Sequence, residues 1–472
     1  MMNPKGIFNR TWVAAVLLFL LVLILKFPIL NTPHYWDAMN RVLNADWVKE
    51  HGFNPFLEKG EGVLKAQGRP PLFFILLALS WTLFGQSLIV SHGVVVLFSF
   101  LGLLFTYLLG RHLAGPRVGL LASLLLLFSP LYFAQSGILN LEVPLAALTV
   151  MAVFFAVKER RLAYGLCAVA LVLTKDTGML ILLPLIPFMV LGRNGKQRRI
   201  KTLIFYSFPI AFYLLWLVTC RITLGWFLFP SHVGILNFSS LTHLVKVMME
   251  RAAQLLLRDG HWVLTLIIAA GAWTERKNFP WTKAGIPLLV GGLAVYGIFY
   301  SFYSVPLDRY LLPVYPLFFL LCSWSLDRLS KQRRTPAFIV LVGILALFVM
   351  NWRGQRSAPG FALESNMEYL DFIEVHRKAT KYLEDHFPDK HILTHWPQTM
   401  ELRYPFEGYV AKPIRTSGIL EAYDLSEIDL VYFVPQSQKE FADVVKDLNL
   451  APLASFEKNG KRAVLYKLRK AE

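Results

Sequence analysis

The stretch that decides the fold is residues 31–85, NTPHYWDAMNRVLNADWVKEHGFNPFLEKGEGVLKAQGRPPLFFILLALSWTLFG. An apolar run precedes it, and a second apolar run, which begins after Arg69-Pro70-Pro71, ends it. Asp37 therefore lies just beyond the end of a predicted membrane helix, in a polar loop beside the bilayer surface. We interpret this loop as a place for chemistry on a lipid-borne substrate, because ionisable groups close to the membrane are costly and need a reason.

The composition identifies the class of protein. The chain has 472 residues, of which 55% are hydrophobic and 14% aromatic. Apolar runs of nearly 20 residues, the length that crosses a bilayer as a helix, recur from residue 11 to residue 352. Cys167, Cys220 and Cys322 all lie in such runs, which indicates buried thiols rather than a disulfide framework or a metal site. The sequence predicts a polytopic helical membrane protein.

The net charge of +17 is distributed in a way that argues against nucleic-acid binding. Lysine and arginine gather in short loops between apolar runs, which is the pattern that marks the cytoplasmic side of a membrane protein. We therefore predict that the N-terminus and these basic loops are cytoplasmic. The loops are 111–117, 158–161, 193–199, 275–277 and 327–334.

Helices placed between the basic loops number about eleven. Residues 70–85 are too short to span comfortably, and counting them as a span would put a basic loop outside. We therefore predict a helix in the extracytoplasmic interface there, within an external loop 31–87. The predicted spans are 11–30, 88–110, 117–135, 142–157, 162–174, 177–192, 201–220, 261–274, 283–304, 310–329 and 336–352.

The character of the chain changes after residue 357. Charges of both signs mix, and hydropathy falls, so we divide the chain into a transmembrane domain, 1–357, and a small extracytoplasmic α/β domain, 358–472. Asn459-Gly460 predicts a tight hairpin turn. The other predicted elements are helices at 364–387 and 438–448 and strands at 391–395, 429–435 and 462–468.

Two acidic residues stand at predicted helix ends on the external side. Asp37 follows the first span, and Glu142 opens the fourth span just before Pro144. Each could simply favour a helix N-terminus. Together on one face, they could orient and deprotonate an acceptor while a phosphate leaves.

Three cations reach the same predicted face. Arg69 precedes the interfacial helix, Lys175 lies between two short apolar runs, and Arg309 opens the tenth span beside Tyr310. Arginine and tyrosine also anchor helices at membrane interfaces, and Lys175 could pair with the neighbouring acid. Cations that converge near carboxylates would instead suit a phosphate leaving group, by forked hydrogen bonds from arginine and a point charge from lysine.

Motifs of other enzyme classes are absent from the sequence. It contains no P-loop, no GxGxxG after a strand, no HExxH and no GxSxG nucleophile elbow. We predict no metal site from the spacing of histidines and cysteines, and dependence on a divalent ion stays open.

Several short motifs in fixed order resemble a known family. The chain is similar to bacterial polytopic glycosyltransferases of the GT-C fold, in the dolichyl-phosphate-mannose–protein mannosyltransferase superfamily that includes lipid A aminoarabinose transferase. The resemblance runs over 31–329. Arg69 stands where lysine or histidine is usual, and Glu142 where aspartate is usual, so the charges are kept. The motifs are Asp37 in the first loop, Arg69-Pro70-Pro71-Leu72 with Leu83-Phe84-Gly85, residues 113–117, Asn140-Leu141-Glu142, Leu173-Thr174-Lys175 and 309–313.

The resemblance implies a function. Asp37 would be the catalytic base and Glu142 would assist at the acceptor, while Arg69, Lys175, Arg309 and Tyr310 would bind the donor phosphate. The donor would be a polyprenyl-phosphate sugar, transferred with inversion to a hydroxyl of a lipid, glycan or protein. No cofactor is certain, since the lipid-phosphate sugar is a substrate.

We therefore expect an all-α polytopic membrane domain of GT-C type with a small C-terminal α/β domain, acting as a glycosyltransferase in the inner (cytoplasmic) membrane. Two other functions stay open. A lipid-linked-sugar flippase would line a translocation path with the same charges, although the sequence contains no inverted repeat. A non-catalytic membrane scaffold could keep the fold for partner binding and would tolerate the loss of Asp37.

Overall fold

The protein is mostly helical, with a small sheet near its C-terminus. A computed structural model describes residues 4–56, 68–234, 240–274, 286–303, 307–332, 334–353, 364–418, 425–435, 443, 445–446 and 448–469. The helices up to residue 351 are α1 Pro4–Lys26, α2 Asp37–Glu50, α3 Leu72–Phe84, α4 Leu88–Ala114, α5 Pro116–Phe128, α6 Pro130–Gln135, α7 Glu142–Val157, α8 Arg161–Val172, α9 Leu182–Leu191, α10 Lys196–Leu224, α11 Pro230–Val233, α12 Leu241–Leu256, α13 His261–Thr274, α14 Ile286–Tyr300, α15 Tyr315–Gln332 and α16 Arg334–Asn351.

Short 3₁₀ helices extend several of these elements. Phe27–Ile29 continues α1, Asp176–Ile181 leads into α9, and Asp308–Val314 leads into α15. Arg258–Gly260 joins α12 to α13. Each predicted segment overlaps a helix or consecutive helices of the described chain, although residues 283–285 and 304 of one segment lie outside the described residues. The segment predicted to be interfacial contains α3.

The apolar helices identify a membrane protein. Within the described residues, four helical segments are long and apolar enough to cross a bilayer: Thr11–Ile29, Leu88–Ala114, Lys196–Leu224 and Asp308–Lys331. A pair bent by 43°, Leu241–Leu256 with Arg258–Thr274, would make a fifth. The other apolar helices are shorter, because breaks such as the one between α5 and α6 divide the runs that the sequence presents as continuous.

Two regions differ from the sequence-based expectation. Asp37 does not lie in an irregular loop but is the first residue of α2, because residues 37–50 form a helix with nine buried residues. Residues 221–260, which lie between the predicted spans 201–220 and 261–274, contain α12, an amphipathic helix that buries Val247, Arg251 and Leu255. Both helices were missed because their polar residues interrupt the apolar runs used to place spans.

The helices pack closely around α4, α5 and α7. Gly110 of α4 faces Gly119 of α5, and a Cβ on Gly110 would come within 2.7 Å of the Gly119 Cα atom. The Ser123 hydroxyl of α5 donates to the Leu103 carbonyl of α4 at 2.8 Å. Small residues let two backbones approach closely, which is how helices associate where no water drives them together.

The C-terminal region forms one five-stranded sheet with helices. The strand order is β2-β1-β3-β5-β4; β1 is parallel to β2 and β3, and β5 is antiparallel to β3 and β4. The bounds are α17 Tyr369–His386, β1 Ile392–Thr394, α18 Gln398–Arg403, β2 Thr416–Gly418, β3 Leu430–Phe433, β4 Leu450–Lys458 and β5 Lys461–Leu468, with 3₁₀ turns at Pro405–Glu407 and Leu425–Glu427.

Most of the predicted C-terminal elements are confirmed. The hairpin turn is present, because Lys458 pairs with Lys461 around Asn459-Gly460, both with positive φ. The predicted first helix begins later, at Tyr369, and the predicted helix 438–448 lies largely outside the described residues. Sequence analysis missed β2 and β4. Strand β4 contains Pro452 and a bulge, which edge strands tolerate and which hide the strand pattern.

The sheet region packs directly on the first polar segment. The Tyr35 ring lies 5.6 Å from the Tyr369 ring, and the Tyr409 hydroxyl donates to the His34 carbonyl at 3.0 Å. His34 Nδ1 and Glu407 Oε2, both buried, lie 3.0 Å apart. Burial raises the pKa of Glu407 well above its usual value and lowers that of His34. The segment that leads into α2 is therefore fixed by the C-terminal region.

The glycine crossing gives a test of this packing. A Cβ on Gly119 would lie 2.2 Å from the Tyr107 carbonyl oxygen, whereas one on Gly93, also in a helix, would meet nothing within 4 Å. We expect Gly119→Ala to destabilise the protein by roughly 1–3 kcal/mol through overpacking. Gly93→Ala should be neutral or slightly stabilising, since alanine favours helices. Thermal unfolding in detergent measures both, and equal unfolding temperatures would contradict the packing described here.

Candidate active site

One cavity collects the polar residues that the sequence singled out. Its volume is about 80 Å³, and all six predicted site residues line it: Asp37, Arg69, Glu142, Lys175, Arg309 and Tyr310. Arg41, Asp176, Tyr303 and several smaller residues complete the described wall. The charged lining comprises four cations and three carboxylates, so the wall has a small positive excess. Such a wall favours an anion.

Arg309 is the centre of the charged cluster. Its side chain is 3% exposed, and its Nη2 atom donates to Asp37 Oδ2 at 2.5 Å. Its Nε lies 3.6 Å from Glu142 Oε1, and its Nη1 pairs with Glu364 Oε2. A buried guanidinium is costly unless carboxylates surround it, because the interior does not replace its hydration. The cluster joins α2, α7 and the segment before α17.

A second ion pair forms the opposite side of the cavity. Lys175 Nζ donates to Glu142 Oε1 at 2.7 Å. Glu142 is the first residue of α7, and Lys175 stands in extended conformation after α8. The Tyr310 ring lies 4.6 Å from the ammonium group, in cation–π contact. The sequence also allowed an ion pair between Lys175 and Asp176. In the structure Lys175 donates to Glu142, and Asp176 accepts a hydrogen bond from the Tyr213 hydroxyl at 2.9 Å.

The guanidinium groups of Arg41 and Arg69 have fewer close partners than that of Arg309. Arg41 lies one helical turn after Asp37 in α2, with 3.9 Å between its Nη2 and Asp37 Oδ2. Arg69 lines the cavity ahead of α3, whose first amide, that of Leu72, donates to the Leu173 carbonyl at 2.9 Å. The buried Nε atoms of Arg41 and Arg69 have no hydrogen-bond partner among the described residues. Each of these two guanidinium groups therefore keeps one buried donor that the described residues do not satisfy.

The electrostatics of the cavity keep Asp37 ionised. Burial alone would raise the pKa of Asp37, but the guanidinium groups of Arg309, Arg41 and Arg69 lower it below its usual value. Burial lowers the pKa of Arg69 to about 10, so Arg69 stays a cation at neutral pH. The side chain of Asp37 is 30% exposed, far more than that of Glu142 at 3%. Asp37 is thus more accessible than Glu142 to a ligand in the cavity.

Sequence reasoning missed Arg41 and Glu364. The spacing of Arg41 from Asp37, four residues, places both on one face of a helix and could have identified Arg41 once α2 was recognised. Glu364 gave no such signal, because its contact with Arg309 joins residues far apart in the chain. No group of three or more histidine, cysteine, aspartate or glutamate side chains in the described parts of the chain could hold a metal ion.

Comparison with known proteins identifies the class of fold. Residues 68–226 match the family model described as dolichyl-phosphate-mannose-protein mannosyltransferase, a range that includes Arg69, Glu142 and Lys175. Asp37, Arg309 and Tyr310 lie outside the matched range. No curated protein matches the chain in sequence.

Solved structures extend the similarity over nearly the whole chain. ArnT from Cupriavidus metallidurans in the apo state has a TM-score of 0.62 at 14% identity, covering 97% of this chain and 98% of that one. The same protein bound to undecaprenyl phosphate has a TM-score of 0.62 at 15% identity, with 98% of each chain covered. Archaeoglobus fulgidus AglB, with an inhibitory peptide and a dolichol-phosphate, has a TM-score of 0.53 at 11% identity, covering 96% and 74%. The chain has the GT-C fold, as the motifs predicted.

Removal of Arg309 tests the charged cluster. Arg309→Ala would leave Asp37, Glu142 and Glu364 with too little positive charge, so we expect a loss of about 3–5 kcal/mol in the free energy of unfolding. Arg415→Ala is a matched control, because its partner Glu427 is 60% exposed and Arg415 itself is 65% exposed. The control should cost less than about 1 kcal/mol. Equal losses in thermal or denaturant unfolding would contradict the central role of Arg309.

Proposed function

We propose that the protein is an integral-membrane glycosyltransferase that moves a sugar from a polyprenyl-phosphate donor to an acceptor hydroxyl. The observation that carries the proposal is a single cavity in which a partly exposed, ionised Asp37 stands among four cations. A base beside an anion-binding wall suits a reaction in which a hydroxyl loses a proton while a phosphate leaves. The GT-C fold and the two neighbours solved with lipid phosphates support a lipid-phosphate donor.

We propose that the site faces the extracytoplasmic side of the inner (cytoplasmic) membrane. With about eleven spans, the basic loops and the N-terminus lie in the cytoplasm, and the external loop 31–87 lies outside. Residues 1–357 then form the transmembrane domain, and 358–472 form an extracytoplasmic domain. The contacts of the C-terminal sheet region with His34 and Tyr35 support this arrangement, because both regions must then lie on the same side.

In the proposed reaction Asp37 is the general base. The acceptor oxygen attacks the anomeric carbon, its proton passes to Asp37, and the bond from that carbon to the phosphate oxygen breaks. The phosphate leaves with the bonding electrons, and a single displacement inverts the anomeric configuration. Arg309 and Arg41 both approach Asp37 Oδ2, which leaves Oδ1 to receive the proton. Glu142, fixed by Lys175, would help to orient the acceptor.

The cations would bind the phosphate and stabilise the charge that grows as it departs. We assign this role to Arg69, Lys175 and Arg309, with Tyr310 as an aromatic wall beside Lys175. Arg41 joins them, because it lines the same cavity and its Nε has no partner among the described residues. Donors fixed before the reaction cost no reorganisation when charge develops, which is the main source of such electrostatic catalysis.

The rival functions make different demands. A flippase would need charges along a path through the membrane, whereas the charged residues described here converge on one cavity. A scaffold would need no ionised base. The donor sugar and the acceptor, whether lipid, glycan or protein, are left open by the proposal.

Substitution of Asp37 tests the proposal directly. In membranes with synthetic short-chain polyprenyl-phosphate donors carrying radiolabelled sugars, Asp37→Asn should lose at least about 100-fold in transfer rate, because general-base catalysis contributes about that much. Glu142→Gln should also lose activity, to a smaller extent. Asp46→Asn, in the same helix and bonded to Gln86, is the matched control and should stay active. Normal transfer by Asp37→Asn would point to a scaffold or to another base.

The pH dependence of transfer tests the role of the guanidinium groups. A base works only when ionised, so its activity is lost as the pH falls through its pKa. Because the pKa of Asp37 is lowered, we expect the wild type to show no loss from Asp37 protonation between about pH 5 and about pH 8. Arg309→Gln removes a cause of that shift while burial still raises the pKa, so its acidic limb should move to higher pH. An acidic limb of the pH–rate profile that stays at the wild-type pH in a folded Arg309→Gln protein would contradict the assignment of Asp37 as the base.

A further inference from the structure

Glu364, in the segment before α17, contacts the charged cluster without belonging to the predicted site. We infer that Glu364 is a positioning residue, which holds the Arg309 guanidinium so that one edge faces Asp37. The inference rests on the proposed function and deepens it, because it assigns part of the active site to the C-terminal region of the chain.

The geometry of the guanidinium is the first step. Glu364 Oε2 pairs with Arg309 Nη1, while Nη2 of the same group donates to Asp37 Oδ2 at 2.5 Å. A guanidinium is planar and rigid, so fixing one nitrogen fixes the direction of the other. The side chain of Glu364 is 4% exposed, so it is shielded from bulk solvent.

The position of Glu364 is the second step. Arg309 and Asp37 belong to the described residues that line the cavity, and Glu364 does not. Glu364 therefore lies behind Arg309 as seen from a ligand. It can influence the reaction only through the orientation and charge of Arg309, which separates it from the residues that touch substrate.

The support of Glu364 itself is the third step. Gln135 Nε2, at the end of α6, donates to the Glu364 carbonyl at 3.0 Å. The hydroxyl of Ser365 donates to Asp308 Oδ2 at 2.6 Å, and the Met367 amide donates to the Trp352 carbonyl at 2.7 Å. Asp308 is the neighbour of Arg309. The backbone that carries Glu364 is thus tied to the elements around Arg309, as the support of a precise site requires.

Loss of Glu364 should affect the rate more than substrate binding. Without it, the guanidinium can turn away from Asp37, and small misplacements of catalytic groups cost about 100-fold in rate. Arg41, Arg69 and Lys175 would still hold the donor phosphate. We expect Glu364→Gln to lower kcat about 100-fold and to change the KM for the donor by less than about threefold.

The experiment is a double-mutant cycle in the purified full-length protein with short-chain polyprenyl-phosphate sugar donors. Glu364→Gln is measured alone and together with Arg309→Lys, which keeps a charge but not the fork. If Glu364 acts through Arg309, its substitution adds little in the Arg309→Lys background. The inference would be overturned if the double variant lost kcat by the product of the two separate losses, or if Glu364→Gln were as active as wild type. Glu374→Gln, 42% exposed in the same region, is the control.

A second variant keeps the test valid if Glu364→Gln does not fold. Glu364→Asp keeps the charge but is one methylene shorter, so it should lose kcat while its thermal unfolding stays close to wild type. Normal kcat in Glu364→Asp, or loss of folding in both variants, would overturn the positioning role. The wild-type protein in the same assay separates the role of Glu364 from the proposed glycosyltransferase activity. If the wild type transfers sugar and the Glu364 variants are as active, only the role of Glu364 is overturned. If the wild type transfers sugar from no donor, both proposals are overturned.

Discussion

The burial of one arginine charge organises this protein. Arg309 sits where water hardly reaches, and a guanidinium in such a place is stable only when carboxylates replace its hydration. Asp37, Glu142 and Glu364 come from three distant parts of the chain, so the requirement acts as a long-range constraint on the fold. These ion pairs tie the first residue of α2 and the segment before α17 to the same guanidinium.

The same constraint explains the electrostatics of the cavity. Asp37, one of the carboxylates that contact Arg309, is itself held ionised, because the neighbouring guanidinium groups lower its pKa. Glu142 is shared between Arg309 and Lys175, which distributes one negative charge over two cations. Arg41 and Arg69 each keep an Nε donor without a partner among the described residues, and with them the cations of the cavity lining outnumber its carboxylates.

The sequence predicts much of this arrangement, because apolar runs and short polar motifs are strong signals in a membrane protein. Apolar runs located the helices, and the order of short polar motifs brought Asp37, Glu142 and Lys175 to one face. The contact between Arg309 and Glu364 could not be predicted, since it depends on how the C-terminal region docks. Helices α2 and α12 were missed because polar residues interrupt their apolar residues, so that neither shows a continuous apolar run. Strand β4 was hidden by Pro452 and its bulge.

The location of Glu364 bears on how the protein is made. A ribosome delivers α1 to α16 first, and Glu364 follows only after α16 has been completed. Until then Arg309 lacks one of its three carboxylates, and the segment leading to Asp37 lacks the support of Glu407 and Tyr409. The charged cluster can therefore be completed only after α1 to α16 have been synthesised. A chain that stops before residue 364 would lack this carboxylate and would leave the Arg309 guanidinium without one of its ion pairs.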